Sequence, residues 1–326
     1  MKGHYLFNAA VSLMLTSLFL GCGSPPLGDS AGSGADSDDA SSVVATPSLE
    51  DSKEIIRHAS VSCEDKDTCS PSVAMLAIAM KEGVSRCTAF LVASDILLTN
   101  SHCVPADLRD NASSLESRVF AYFPETKSNA AASVEVDHVI SASRIDENPK
   151  SSLYSTLPDY SFLRLKKSIF RPKMVLSYAG LEPDTAVTVF KMNPSKYAYS
   201  ATLVTKTCQT ARSNSLLRNY VSGQVSIVSL VDCDVIQGNS GSPVLTSDGR
   251  VAAVIFAGSI KPGYYYSSKN GEEIRFSNMA RATNLACVAP PWAPSRSLPS
   301  DCKVRLLEPL LNLDEESSLT SFHEAN

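Results

Sequence analysis

The sequence predicts an all-β fold, a sandwich or a barrel, from three observations. Short apolar runs of strand length follow one another along most of the chain, turn-forming residues separate them, and no long amphipathic helix interrupts the series. The sequence has no internal repeat of fixed period, and so it does not indicate a solenoid or a propeller. The predicted strands lie at residues 73–80, 88–92, 95–99, 119–123, 134–140, 161–165, 174–178, 186–191, 199–205, 224–230, 241–245 and 251–256.

Length and composition place the chain among globular proteins with a substantial core. Its 326 residues are enough for roughly two domains. Hydrophobic residues make up 44% of the chain and charged residues 19%. The formal net charge of -5 and the absence of a Lys/Arg cluster argue against a nucleic-acid partner, because such proteins present a basic surface.

The first 22 residues have the order of an export signal. Lys2 gives a positive start, residues 6–20 are mostly apolar, and Gly21 and Cys22 follow. Two interpretations stay open. Residues 1–22 are an ordinary secretory signal, or they resemble the lipobox of bacterial lipoproteins, in which Cys22 carries a lipid that anchors the protein to a membrane. Either way we expect an exported protein, secreted or anchored to the cell envelope.

Two further segments flank the predicted folded domain, which spans residues 71–287. Residues 23–50 are rich in Ser, Gly, Ala and Asp, and such a stretch buries too little apolar surface to offset its ordering entropy. We therefore expect a disordered N-terminal segment at 23–70, acting as a flexible tether or a propeptide. Residues 288–326 form a short proline-rich C-terminal tail, since proline interrupts regular elements.

The nine cysteines favour disulfides over a metal site. Without Cys22 an even number remains, and no pair has the short spacing typical of zinc ligands. Cys63 and Cys69 are placed to close a small loop, and a bond from Cys287 to Cys302 would hold the tail. We expect no metal and no cofactor.

Three short segments carry the residues that suggest chemistry, in the order His, Asp, Ser. His102 follows an apolar strand, Asp159 opens an alternating strand, and Ser240 stands in the run Gly-Asn-Ser-Gly-Ser-Pro at residues 238–243. A serine hydroxyl needs an adjacent base to become a nucleophile, and imidazole is a base that works near neutral pH. A buried carboxylate would orient that imidazole. Glycines beside the serine let the backbone turn so that the N–H groups of Gly238 and Ser240 face a developing oxyanion.

These segments resemble the trypsin-like (chymotrypsin-fold) serine endopeptidases over about residues 72–287. The resemblance implies two packed six-stranded antiparallel β-barrels, at about 72–170 and 171–287, and a disulfide between Cys87 and Cys103. It makes His102 the general base, Asp159 its orienting partner and Ser240 the nucleophile of an acyl-enzyme mechanism on polypeptide substrates. We expect a monomer.

Each of these residues also has a simpler interpretation. Ser240 would then lie in a plain glycine turn, and His102 would be a structural histidine beside a disulfide. Asp159 has alternatives, because Asp137 and Asp146 lie nearby and an aspartate at a strand start is often a turn former. A non-catalytic homologue that serves as a binding module, or a structural spacer, is the corresponding alternative for the whole protein.

The sequence departs from the resembled family at Asn239, where an aspartate usually precedes the nucleophile. The amide of Asn239 cannot form an ion pair with a new N-terminal amine. The sequence Asn-Ser-Gly-Ser-Pro is instead similar to that of the bacterial glutamyl-endopeptidase branch. Asp234 lies six residues before Ser240, the offset at which trypsins place the base of a pocket for Arg or Lys; the alternative is a turn residue beside Cys233. Phe256 and Gly258 would line the opposite wall, which lacks the histidine of the glutamyl branch, so a preference for glutamate is disfavoured.

Overall fold

The computed structural model describes residues 47–81, 83–109, 115, 117–143, 158–195, 199–211, 221–222, 226–259, 262–267, 269–299, 302 and 305–306. Within them, two short helices accompany the strands. In chain order the elements are α1 (Leu49–Arg57), β1 (Ser60–Cys63), β2 (Val73–Met80), β3 (Gly83–Ala93), β4 (Ile96–Thr99), α2 (Ala106–Arg109), β5 (Val119–Phe123), β6 (Ala132–Ala142), β7 (Ser161–Leu165), β8 (Ala186–Pro194), β9 (Ser200–Ala211), β10 (Val221–Ser222), β11 (Ile227–Val231), β12 (Pro243–Leu245), β13 (Val251–Ser259), β14 (Gly263–Tyr266), β15 (Glu273–Phe276), β16 (Met279–Asn284) and β17 (Arg305–Leu306).

The predicted double barrel is confirmed. The first barrel closes in the order β2-β3-β4-β7-β6-β5, with every neighbouring pair antiparallel. The second closes in the order β8-β9-β11-β16-β13-β12, because β8 pairs with both β9 and β12. Leu97, Leu163 and Phe123 fill the first barrel, and Leu230 and Ile255 fill the second, all of them essentially fully buried.

Strand β2 is apolar throughout because both of its faces are covered. Leu76 and Ile78 point into the first barrel, whereas Met75 belongs to a second cluster that also contains Ile56 of helix α1. A strand buried on both faces has a continuous apolar run rather than an alternating pattern. The residues before β2 supply part of the outer cover.

These residues, 48–69, form what we call the N-terminal clasp. Ser48 caps helix α1 through a capping box with Asp51, and the Tyr122 hydroxyl donates a hydrogen bond to the carbonyl of Ile56. Strand β1 then adds in parallel to β9 of the second barrel, with Ser60 opposite Ser200. The clasp therefore contacts both barrels.

The clasp refines one expectation. A disordered N-terminal segment was expected, with residues 23–70 as a flexible tether or a propeptide; residues 47–70 contain helix α1, strand β1 and a disulfide-closed loop, and the role of the segment stays a prediction. Polar residues dominate only the earlier part of the segment, residues 23–50. In the later part, Ile56 and Val61 bury apolar surface, and the Cys63–Cys69 disulfide closes the predicted loop. Residues 23–46 and the signal at 1–22 lie outside the described residues.

Several other strands differ from the predicted ones. Residues 174–178 form no strand and contribute one isolated bridge, between Leu176 and Val251. Strands β1, β10, β14, β15, β16 and β17 were not predicted. Strand β16 has no apolar pattern in the sequence, because three of its buried residues are polar: Arg281, Thr283 and Asn284. None of the helices in the described part of the chain is long and apolar enough to cross a membrane.

Four disulfides are present, Cys63–Cys69, Cys87–Cys103, Cys208–Cys233 and Cys287–Cys302. The last of them ties the start of the C-terminal tail to the end of the second barrel. Residues 305–306 continue as β17, which pairs with β10.

Truncation of Ile56 tests whether the clasp stabilises the barrels. Ile56 is 0% exposed, so Ile56→Ala should lower the free energy of unfolding by about 2–4 kcal/mol. Urea unfolding with the disulfides intact measures the change. Val175→Ala is the control, because that side chain is 61% exposed and its loss should change stability by less than about 0.5 kcal/mol. Equal stability of the two variants would show that α1 contributes nothing.

Candidate active site

The three candidate catalytic residues lie on loops of both barrels. Strands β4 and β7 pair with Thr99 opposite Ser161, so the end of β4 lies beside the start of β7. His102 stands three residues after Thr99, and Asp159 two residues before Ser161. The antiparallel pairing therefore brings these two side chains together, while Ser240 comes from the loop that precedes β12 in the second barrel.

Asp159 holds the imidazole of His102 in one orientation. Its Oδ2 lies 2.5 Å from His102 Nδ1, and its Oδ1 accepts hydrogen bonds from the backbone N–H groups of Ser101 (2.6 Å) and His102 (3.3 Å). Asp159 is only 5% exposed. An ionised carboxylate can only accept, so the contact places a proton on Nδ1 and leaves Nε2 as the acceptor of the neutral ring.

The backbone of Asp159 is held across the boundary between the barrels. Its N–H donates to Thr283 Oγ1 at 2.8 Å, and the same hydroxyl lies 2.9 Å from its carbonyl oxygen. Asn100 Nδ2 also donates to that carbonyl, at 2.7 Å. Sequence reasoning missed both positioning residues. Asn100 stands two residues before His102, within the segment that the sequence singles out, whereas nothing in the sequence links Thr283 to residue 159.

The loop around Ser240 is held by strand β3 of the first barrel. The N–H of Thr88 donates to the Ser240 carbonyl at 2.7 Å, and its hydroxyl donates to the Gly238 carbonyl at 2.9 Å. Gly238 and Gly241 have φ values of +94° and +89°, a region that glycine adopts without a Cβ clash. With both carbonyls engaged, the N–H groups of Gly238 and Ser240 have no partner among the described residues.

The structure joins His102 to Asp159 but does not join Ser240 to His102. Within the part of the chain that is described, neither Ser240 Oγ nor His102 Nε2 takes part in a hydrogen bond. In a protein without bound substrate this contact is often long and shortens when the substrate binds. His102 also lies beside the Cys87–Cys103 disulfide, whose sulfur atoms are within 4.8 Å of a ring nitrogen. Both sulfurs are bonded to each other and offer no thiolate to a metal.

Asn239 is fully buried and its amide is satisfied on both sides. Its Nδ2 donates to the Met192 carbonyl at 2.5 Å, and its Oδ1 accepts from the Ile236 N–H at 3.1 Å. An uncharged side chain therefore fixes the loop from within the protein. This arrangement needs no N-terminal ammonium group.

Asp234 lies at the surface. Its side chain is 49% exposed, its Oδ2 is 2.5 Å from Lys206 Nζ, and Asn278 Nδ2 donates to its Oδ1 at 2.8 Å. The hydrogen bond from Lys206 lowers the pKa of Asp234. A basic substrate side chain would have to displace Lys206 from this carboxylate.

The opposite wall of the expected primary pocket is also occupied. A Cβ built on Gly258 would lie 2.8 Å from Val235 Cγ1, so Val235 packs directly against this glycine. Phe256 is 9% exposed on the same strand, β13. A primary pocket formed by Asp234, Phe256 and Gly258 stays a prediction.

The remaining candidates lie away from this site or outside the described residues. His138 pairs with the neighbouring Asp137 through Nδ1 at 2.8 Å, and both side chains are more than a third exposed. Asp146, the other alternative partner for His102, and Cys22 lie outside the described residues.

Comparison with known proteins identifies the family of the chain. No curated protein was found to match the chain. The family model described as the trypsin-like peptidase domain matches residues 87–254, just over half of the chain. This range contains His102, Asp159 and Ser240. The chain belongs to the trypsin-like peptidase family of serine proteases.

Proposed function

We propose that this protease is an endopeptidase that cleaves polypeptides through an acyl-enzyme on Ser240, with His102 as general base and Asp159 as its positioning residue. The observation that supports it most directly is the 2.5 Å contact between His102 Nδ1 and Asp159 Oδ2. This contact leaves Nε2 free to accept a proton. A purely structural histidine would not need a buried carboxylate with two further backbone donors.

In the first half of the reaction, His102 Nε2 removes the proton from Ser240 Oγ as that oxygen attacks the scissile carbonyl carbon. The carbonyl π electrons move to oxygen and give a tetrahedral oxyanion. When the oxyanion collapses, the C–N bond breaks and the protonated imidazole delivers its proton to the leaving amine. Water then repeats the sequence on the acyl-enzyme and releases the carboxylic acid.

The oxyanion would be stabilised by the N–H groups of Gly238 and Ser240. Both are without partners among the described residues, and Thr88 holds the carbonyls of the same two residues on the far side. Donors fixed before the reaction need no reorganisation when charge develops, and this is usually the largest single contribution to catalysis.

The wider setting is proposed on similar grounds. Four disulfides are typical of proteins from oxidising compartments, so we propose export, with residues 1–22 as the signal and Cys22 as a candidate lipid attachment site. The buried, satisfied amide of Asn239 supports likeness to the bacterial glutamyl-endopeptidase branch over activation by an N-terminal ammonium.

Labelling with a serine-directed phosphonate tests the proposal. The wild-type protein should be labelled on Ser240 and should hydrolyse casein and internal bonds of a peptide library. Ser240→Ala should abolish both the label and the hydrolysis, because it removes the hydroxyl that the proposed mechanism uses as nucleophile. Ser242→Ala, two residues away, should still be labelled. Unchanged labelling of Ser240→Ala would refute the assignment, and a folded wild type without turnover would favour the non-catalytic binding module.

A further inference from the structure

A second cleft borders the Ser240 loop, away from the expected primary pocket. It is a shallow depression with room for about one water molecule, and its lining includes Met75, Arg86, Met192, Ala201, Gln237 and Gly238. Strand β13 contacts the loop at Val235, whereas this cleft contacts it at Gln237 and Gly238. The two sites therefore lie on different flanks of the loop, and the cleft adjoins the residue whose N–H we assign to the oxyanion.

Arg86 is the charged group of this cleft. It lies in β3 beside Cys87, and its Cβ is 3.9 Å from where a Cβ on Gly238 would be. Thr88, two residues further on, holds the Ser240 loop. Arg86 is therefore attached to the same rigid strand that positions the catalytic loop.

The guanidinium group of Arg86 is half-buried without a carboxylate to balance it. One nitrogen donates to the Ser200 carbonyl at 3.1 Å, and no ion pair joins Arg86 to any acidic side chain of the described residues. Met75, Met192 and Ala201 give the cleft apolar walls. Burial lowers the pKa of Arg86, which means that its charge is poorly solvated there. An anion held in the cleft would relieve this unfavourable state, since a planar guanidinium can donate two parallel hydrogen bonds to one carboxylate.

We infer that Arg86 is a specificity-determining residue that binds an acidic side chain of the polypeptide substrate on the leaving-group side of the cleaved bond. The inference rests on the proposed function. If the predicted primary pocket at Phe256 and Gly258 takes the acyl half of the substrate, the chain beyond the cleaved bond leaves along the other flank of the loop, past Gly238 and the mouth of this cleft. An aspartate or glutamate within the first three leaving-group residues would then meet the guanidinium.

Matched fluorogenic peptides test this inference on the full disulfide-bonded protein. Each pair differs only by Glu or Gln at the first, second or third leaving-group position, and phosphonate titration counts the competent active sites. We expect wild-type kcat/KM to favour Glu over Gln about five- to tenfold at one of these positions, as a half-buried charge-assisted contact would. The preference should shrink at about 1 M salt, where the Debye length falls to about 3 Å.

Variants separate binding from folding. Arg86→Met should reduce the Glu/Gln ratio to about one, Arg86→Lys should keep part of the preference, and Arg86→Glu should favour Lys in place of Glu. Arg250→Met removes an arginine that is 59% exposed on the β12–β13 turn, and it should leave the ratio at the wild-type value.

The outcomes are distinct. A wild-type ratio near one at all three positions, or an unchanged ratio in Arg86→Met, would overturn the inference while leaving the proposed protease intact. If Arg86→Met yields no titratable sites, the salt dependence decides. A wild-type preference for Glu that persists in high salt would overturn the inference. A preference that Arg86→Lys retains and that high salt removes would support the inference. Absence of both labelling and turnover in the wild type would remove the proposed function and the inference together.

Discussion

Replacing Asp159 by asparagine should lower kcat by about 10⁴-fold and leave KM nearly unchanged. The carboxylate accepts from His102 Nδ1 and so keeps the proton away from Nε2. An asparagine in the same place can turn its amide N–H toward Nδ1, which moves the ring proton to Nε2 and leaves no acceptor for Ser240 Oγ. Asp159 is 5% exposed and would not touch the substrate, so binding should persist. Steady-state kinetics on a peptide substrate would measure both constants.

Asp137→Asn is a matched control for this prediction. Asp137 and His138 make the same kind of contact, from Oδ2 to Nδ1, at 2.8 Å, but on the surface of strand β6. The control should retain wild-type kcat. A fall of less than about tenfold in Asp159→Asn would contradict the positioning role, because the tautomer would then not limit the reaction.

Gly241→Ala should destabilise the protein by about 3–5 kcal/mol and remove nearly all titratable active sites. A Cβ at residue 241 would lie 1.8 Å from the Thr88 carbonyl oxygen and 2.5 Å from Thr99 Oγ1. Neither atom can move freely, since Thr88 belongs to β3 and Thr99 ends β4. The left-handed φ of +89° adds strain for any residue with a side chain. Thermal unfolding and phosphonate titration would report the two effects.

Gly249→Ala separates the steric clash from the backbone strain. Gly249 also has a positive φ, +79°, but no atom lies within 4 Å of the position of its Cβ. Its substitution should cost only about 1–2 kcal/mol and leave the titratable sites intact. If Gly241→Ala were as mild as this control, the close approach of the Ser240 loop to β3 would not exist in solution.

Most of the barrel strands could be predicted from the sequence because each buries apolar side chains on one or both of its faces. Runs such as Val73–Met80 and Val251–Ser259 carry that signal within a few residues. The segment 174–178 was wrongly predicted as a strand because it is mostly apolar. It lies between the barrels, where it forms a single bridge to Val251 and pairs with no strand. Strand β1 was missed because its position depends on pairing with β9, which a local pattern does not encode.

The candidate site was predictable where function requires special residues close together in sequence. His102, Asp159 and Ser240 each stand in a short, distinctive segment. Thr283 and Arg86 do not, because their roles come from contacts with residues 159 and 238 that only the closed barrels create. The same holds for Lys206, whose ion pair with Asp234 joins β9 to the loop before Ser240.

The clasp sets an order of events for the newly made chain. Ser60 and its partner Ser200 are 140 residues apart, so strand β1 leaves the ribosome or a translocation pore long before β9. At ribosomal speed the wait is on the order of ten seconds, which allows the first barrel to fold around α1 with β1 still unpaired. When the second barrel closes, strand β1 is already held at its edge. Pairing of β1 with β9 thus waits until the second half of the chain has been made.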